Sequence, residues 1–193
     1  MTNQQEDIDI SNRVSVITGL MGSGKSELAM HILKQQPRHL VYDPLGEYRR
    51  RGFNSYVPAD PASTREYTEF ITEHVLAYQP ALFVSDECAD YLPISQKTLP
   101  RAVGELTRKS RHYGIGCIFI SQQPVTIHPR IRNLATRWFI FGCAGHNDIN
   151  LLENIMRGLG RTAQQTDSYN FIVYETQAGG NSKYSLHAPV SLA

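Results

Sequence analysis

Paired cysteines are missing from this chain. Cys88, Cys117 and Cys143 are odd in number, far apart and in no C-x-x-C pair, which argues against a disulfide framework and a zinc site and leaves them as reduced core thiols. Long apolar runs are missing too, since no window approaches the roughly 18 consecutive apolar residues of a membrane span. The N-terminal MTNQQEDIDISN is polar and acidic, without the basic and apolar regions of a signal peptide. A soluble cytoplasmic protein with no stable membrane insertion is therefore expected. The 7 histidines show no i, i+4 pairing, so a metal cluster built by protein ligands is not expected. A large net charge is also lacking, at +1, but the charge is unevenly spread. Residues 60–90 carry seven acids against Arg65, giving −6, and residues 97–137 carry eight bases against Glu105, giving +7. Such polarity suits a polyanion-facing surface or a self-complementary contact between subunits.

What is present fits one domain over 1–193, because 193 residues with 41% hydrophobic content can bury one ample core and little more. Short β-branched or apolar runs at 13–18, 39–43, 81–85, 116–121 and 137–142 alternate with helix-like segments at 24–36, 62–79, 97–112 and 129–135, and another helix-like segment follows at 146–158. That alternation predicts an α/β fold with a mostly parallel sheet covered by helices on both faces. After a polar segment at 1–12, the only other departure is at 168–190, where FIVYET, QAGGNS and KYSLHA read as a terminal β-hairpin.

Three stretches carry chemistry. Gly19-Leu20-Met21-Gly22-Ser23-Gly24-Lys25-Ser26 follows a predicted strand, opens a predicted helix and fits the phosphate loop G-x-x-x-x-G-K-[ST]. Glycines let the backbone N–H groups of such a loop turn inward on phosphate oxygens, with the helix N-terminus adding its dipole. Gly19, Gly22, Ser23, Gly24, Lys25, Ser26 and Glu27 are thus the candidate nucleotide-binding residues, with Lys25 on the β- and γ-phosphates and the Ser26 hydroxyl on Mg²⁺. In ALFVSDECAD a strand ends in Asp86-Glu87, where the Asp can hold the Mg²⁺ water shell and the Glu can polarise a water for in-line attack. In IFISQQP another strand ends at Gln122, whose amide can sense both the γ-phosphate and the attacking water; Gln123 takes the role if the register slips by one.

These stretches, with VYDPLGEY at 41–48 and RKSRHYGIGCIFISQQP at 108–124, resemble the FtsK/HerA superfamily of DNA-pumping ATPases. Within it, the length is most similar to the genome-packaging ATPases of membrane-containing tailless icosahedral viruses. The resemblance implies a P-loop NTPase of the additional-strand, catalytic-glutamate (RecA-like) type, with one strand inserted between those bearing the two Walker motifs. It also implies ATP and Mg²⁺ as cofactors, with Lys25, Ser26, Asp86, Glu87 and Gln122 in the Walker A, Walker B and sensor roles. The expected function is ATP hydrolysis coupled to translocation of double-stranded DNA. Expected partners are that DNA, further copies in a ring, most simply a hexamer, and a capsid or vertex protein. The expected location is the host cytoplasm or the virion's packaging vertex. The chain lacks the N-terminal barrel of the HerA translocases and the transmembrane and DNA-reading domains of the FtsK translocases, so any partner-binding domain is expected on another protein.

Asp43 and Glu47 in the DPLGEY turn are candidates for contact with the nucleotide or a neighbour, against a plain turn. Arg49, Arg50 and Arg51 are read as DNA contacts or as a solvated loop. Arg101, Arg108 and Arg111 share one face of a predicted helix. A trans-acting arginine finger is assigned first to Arg111 and then to Arg108, because RKSRHYG directly precedes the sensor strand. Arg130 and Arg132 are candidate DNA contacts beyond it. Two alternatives stand beside the packaging motor: an assembly or secretion ATPase like the Zot-type phage proteins, and a small-molecule P-loop kinase, against which the Asp86-Glu87 pair and Gln122 both speak.

Overall fold

The computed structural model describes residues 10–156, 158–176 and 181–190. Strands β1 (Val14–Thr18), β2 (His39–Tyr42), β3 (Ser55–Tyr56), β4 (Leu82–Ser85), β5 (Gly116–Ser121), β6 (Arg137–Ile140), β7 (Phe171–Thr176) and β8 (Ser182–His187) form one 8-stranded sheet in the order β3-β2-β4-β5-β1-β6-β7-β8. The pairs from β3 through β6 are parallel, and β6-β7 and β7-β8 are antiparallel. The expected α/β class and terminal hairpin are both present, and β5 is the strand inserted between β1 and β4. The hairpin's glycine turn lies outside the described residues.

The central strands are near-continuous apolar runs because both of their faces are buried. Side chains alternate between two cores, with Val16, Phe83, Phe119 and Trp138 on one face and Ile17, Val84, Ile118 and Phe139 on the other. Helices α3 (Thr64–Phe70), α4 (Arg101–Tyr113), α5 (Pro129–Leu134), α6 (His146–Met156) and α7 (Leu159–Gln164) cover the first face. Helices α1 (Lys25–Lys34) and α2 (Glu47–Arg50) cover the second.

Several boundaries differ from expectation for local reasons. The segment predicted as a helix over 62–79 starts at Ser63, whose side chain caps the Glu66 N–H, and changes to a π-helical stretch at Ile71–Leu76. The helix expected from 97 starts at Arg101, after Pro100 in extended backbone. Strand β3, α2 and α7 are additions, each six residues or shorter. Residues 1–9 of the expected polar N-terminal segment lie outside the described residues, but Ile10 is buried in the second core. There the Ile10 carbonyl passes so close to Gly116 that a Cβ on Gly116 would sit 2.5 Å from it.

Candidate nucleotide site

The phosphate loop leaves β1 and enters α1 through three glycines with positive φ, Gly19 at 146°, Gly22 at 74° and Gly24 at 106°. Gly19 is fixed by crowding as well as by conformation, since a Cβ there would lie 2.5 Å from Phe141 Cβ. The Leu20 N–H donates to the Gly142 carbonyl at 3.0 Å, tying the loop to the end of β6. Lys25 Nζ donates to the Gly19 and Leu20 carbonyls at 2.8 and 2.9 Å, which holds the ammonium across its own loop. Burial pulls this ammonium below lysine's ordinary pKa, opposed by the charges of Glu87 and Asp86. Among the described residues the buried hydroxyls of Ser23 and Thr18, the latter at the end of β1, have no hydrogen-bond partner. Orphaned buried donors in a glycine-rich loop fit an anion with several acceptor oxygens, as a phosphate has. The Glu27 carboxylate turns outward to Arg51 at 3.3 Å.

Parallel strands bring the carboxylates to the same end of the sheet. Asp86 and Glu87 follow β4, and the backbone there is held from both sides. Asp86 N–H donates to the Tyr42 carbonyl, Cys88 N–H donates to the Ile120 carbonyl, and the Tyr91 hydroxyl donates to the Asp86 carbonyl. Glu87 adopts a left-handed φ of 47°, a conformation uncommon and costly outside glycine that concentrates at functional sites. Asp86 is 4% exposed. Burial first, then the charges of Glu87 and Asp43, push its carboxyl up to about 7. A buried carboxylate under that repulsion is suited to a cation, so the donor set fits Mg²⁺. Mg²⁺ typically takes one or two carboxylates together with substrate phosphates and water, and no group of three or more His, Cys, Asp or Glu fit for a metal occurs among the described residues.

At the end of β5, Gln122 Nε2 donates to Glu87 Oε1 at 3.1 Å. These two side chains are thus in direct contact, 35 residues apart in sequence. Gln123 instead gives its main-chain carbonyl to the Thr126 hydroxyl at 2.8 Å.

Asp43 supports the turn. It is fully buried, and its two oxygens accept from the Glu47 and Arg49 N–H groups, both at 2.9 Å, which anchors α2. That anchor delivers Tyr48, which motif reading passed over. Tyr48 is fully buried beside Ser26 and Asp86, and its hydroxyl lacks a well-formed partner. Burial holds the phenol far above its ordinary pKa, so it stays a neutral donor. The only sequence signal for it was its place at the end of VYDPLGEY.

The arginines lie elsewhere. Arg101, Arg108 and Arg111 are all exposed on α4, with Arg108 Nε donating to the Gly104 carbonyl at 2.8 Å. Helix α4 runs back between parallel β4 and β5, so Arg101 lies at the phosphate-loop end of the sheet and Arg111 about 15 Å further along the helix. Arg130 is exposed at the start of α5 and Arg132 is half-buried. Arg50 Nη1 donates to the Leu45 carbonyl at 3.0 Å.

No protein family and no curated protein matches this sequence. Solved structures do. The genome packaging NTPase B204 of Sulfolobus turreted icosahedral virus 2, in complex with ATP-gammaS, superposes with a TM-score of 0.77 at 19% identity, covering 95% of this chain and 100% of that one. The N-terminal domain of zonular occludens toxin from Neisseria meningitidis gives 0.56 at 18% identity, covering 92% and 94%. VirB4 of Thermoanaerobacter pseudethanolicus gives 0.57 at 11% identity, covering 93% and 89%. At these identities the likeness shows that this chain shares the fold of these proteins.

Proposed function

We propose that this protein binds ATP with Mg²⁺, hydrolyses it, and couples the cycle to movement of double-stranded DNA as the motor that packages a viral genome into a preformed capsid. The observation that carries the hydrolytic part is the Gln122–Glu87 hydrogen bond, made at the ends of adjacent strands beside Lys25. Lys25, released from the Gly19 and Leu20 carbonyls, has the reach to bind the β- and γ-phosphates. Glu87 orients and deprotonates the attacking water, and Gln122 links that carboxylate to the γ-phosphate position. Ser26 and Asp86 would hold Mg²⁺, which supplies charge neutralisation on the β- and γ-oxygens. A general base next to the transferable phosphate can serve water or an alcohol acceptor, so phosphate release with no added acceptor is what separates this reading from a kinase.

The DNA part is supported by the fold shared with a genome packaging NTPase over nearly the whole of both chains. It is also supported by the basic stretch 97–137. The motor would act as a ring of copies, taken as a hexamer, docked on a capsid or vertex protein. It would grip phosphates and leave base edges unread. An arginine of α4 would complete a neighbour's site. Arg111 and Arg108 follow from the resemblance, and Arg101 from its position at the phosphate-loop end of the sheet.

The test is phosphate release from ATP with and without duplex DNA and with no other acceptor. We expect release in its absence and stimulation in its presence. Replacing Arg130 and Arg132 together by Ala should weaken DNA binding and flatten its salt dependence by about one to two charges, with ATP binding unchanged. Phosphate release insensitive to DNA would favour the second reading, an assembly or secretion ATPase, which the likeness to zonular occludens toxin supports.

A further inference from the structure

The orientation of a bound nucleotide follows from the sheet order. Asp86, Glu87 and Gln122 stand at the ends of β4 and β5, on one side of the phosphate loop that leaves β1. The γ-phosphate belongs at that end. The rest of the nucleotide must then leave on the other side, over β6 and toward β7. The segment leading into β7 lies against the loop there. A Cβ on Gly142, next to the end of β6, would be 3.4 Å from the Thr166 carbonyl, and a Cβ on Gly24 would be 3.3 Å from Tyr169 Cδ1. The Tyr169 ring therefore packs at the glycine that caps α1, beside Phe141 Cε1 at the same distance.

Tyr169 has three features that packing alone does not require. The residue stays 52% exposed although its ring lies beside the phosphate loop at Gly24. Its backbone is left-handed, with φ at 67°, which is unfavourable for a bulky residue. The turn that holds it there closes with the Asn170 N–H donating to the Asp167 carbonyl at 3.1 Å. An aromatic ring presented this way, on the exit side of a phosphate site, suits stacking of a heteroaromatic base.

We infer that Tyr169 is the platform for the nucleobase of the bound nucleotide, an inference that rests on the nucleotide-binding reading of the phosphate loop. The platform reads a π-face and not a base edge, so it serves adenine and guanine alike.

The test measures binding of Mg·ATP, Mg·GTP and inorganic tripolyphosphate to the wild type and to the Tyr169→Ala, Tyr169→Phe and Lys25→Ala variants. Tyr169→Ala should lose about tenfold in affinity for both nucleotides and none for tripolyphosphate, while Tyr169→Phe stays near wild type. Unaltered tripolyphosphate binding also shows that the phosphate loop of the Ala variant is intact. Unchanged ATP affinity in Tyr169→Ala, or an equal loss for tripolyphosphate, would overturn the inference. Lys25→Ala should lose all three ligands. If it retained them, the phosphate-loop reading itself would fall, an outcome separate from any result at Tyr169.

Discussion

Glu87 occupies a backbone conformation that only its neighbours make tenable. Main-chain bonds from Asp86 to Tyr42 and from Cys88 to Ile120 clamp both sides of it, so the carboxylate is presented toward Gln122. Replacement by Gln keeps the size and the left-handed backbone but removes the base. Glu87→Gln should bind ATP as the wild type does and hydrolyse it about a hundredfold more slowly or worse. Equilibrium binding beside single-turnover phosphate release checks this, and near-normal turnover would remove Glu87 from the base role. Tyr48 is the second residue whose role is local. Its buried hydroxyl, beside Ser26 and Asp86 and without a well-formed partner, is placed to orient the serine that would meet Mg²⁺. Outer partners of metal ligands commonly affect metal affinity by about 10- to 100-fold. Tyr48→Phe should accordingly raise the Mg²⁺ concentration needed for half-maximal ATP binding about tenfold, while ATP binding in chelator and the melting temperature stay near wild type. A purely structural tyrosine would lower the melting temperature and leave the Mg²⁺ requirement alone.

Among the elements, the terminal hairpin carries one carboxylate that several cations share. Glu175 on β7 accepts from Arg137 Nε of β6 at 2.6 Å, and it pairs with Lys183 of β8 at 3.1 Å and with Arg13 at 3.6 Å. It thereby joins β8 to the parallel part of the sheet. Burial alone would raise the Glu175 carboxyl, but hydrogen bonds from Lys183 and Arg137 and their charges outweigh it and hold the group below glutamate's ordinary value. A carboxylate held low stabilises the fold fully above its ordinary pKa and loses that contribution as the pH falls through the depressed value. Glu175→Gln should cost about 3 kcal/mol near neutral pH, because it removes a charged partner of the mostly buried Arg137 guanidinium. It should also flatten the acid limb of the melting temperature below about pH 4. A mutant curve parallel to wild type there would deny Glu175 this part. Another element-scale link runs through Asp148 at the start of α6. Its Oδ1 accepts from the Val125 N–H at 3.2 Å, which ties the turn after Gln122 to the helix following β6.

For the whole molecule, assembly is the level at which the proposed site would gain a further cation. Lys25 faces Asp86 and Glu87, and none of the exposed α4 arginines contacts that group. An arginine finger supplied by a neighbour is worth about 10³ to 10⁵ in rate in this kind of chemistry, so activity should rise with protein concentration as copies assemble. Mixing Arg111→Ala with Lys25→Ala protein should restore part of the activity, since one interface type then pairs an intact finger with an intact loop. Arg101→Ala mixed in the same way reports the alternative position on α4. Co-assembly without complementation for Arg111, with complementation for Arg101, would move the finger to the upper end of the helix. Among the described residues no helix is long and apolar enough to cross a membrane.

The phosphate loop, the Asp86-Glu87 strand end and the alternation that makes a parallel sheet were all legible in the sequence. Each is a local pattern: glycines where positive φ is required, a carboxylate pair after a buried strand, apolar runs separated by helical periodicity. The short elements were not legible, because two residues in β3 and four in α2 carry no period, and α2 depends on the Asp43 carboxylate closing on its N–H groups. Asp43 was a candidate for contact with the nucleotide or a neighbour against a plain turn, and both of its oxygens accept from the backbone of that turn. Tyr48 and Tyr169 have no signature of their own. One matters because burial brings its hydroxyl beside Ser26, the other because β7 returns next to β6 and sets its ring on Gly24. The sequence by itself determined which chemical groups this protein has and the strand ends on which they sit. The tertiary structure decided which of them meet, because strand order and long-range packing bring together residues whose separation in sequence no local pattern records.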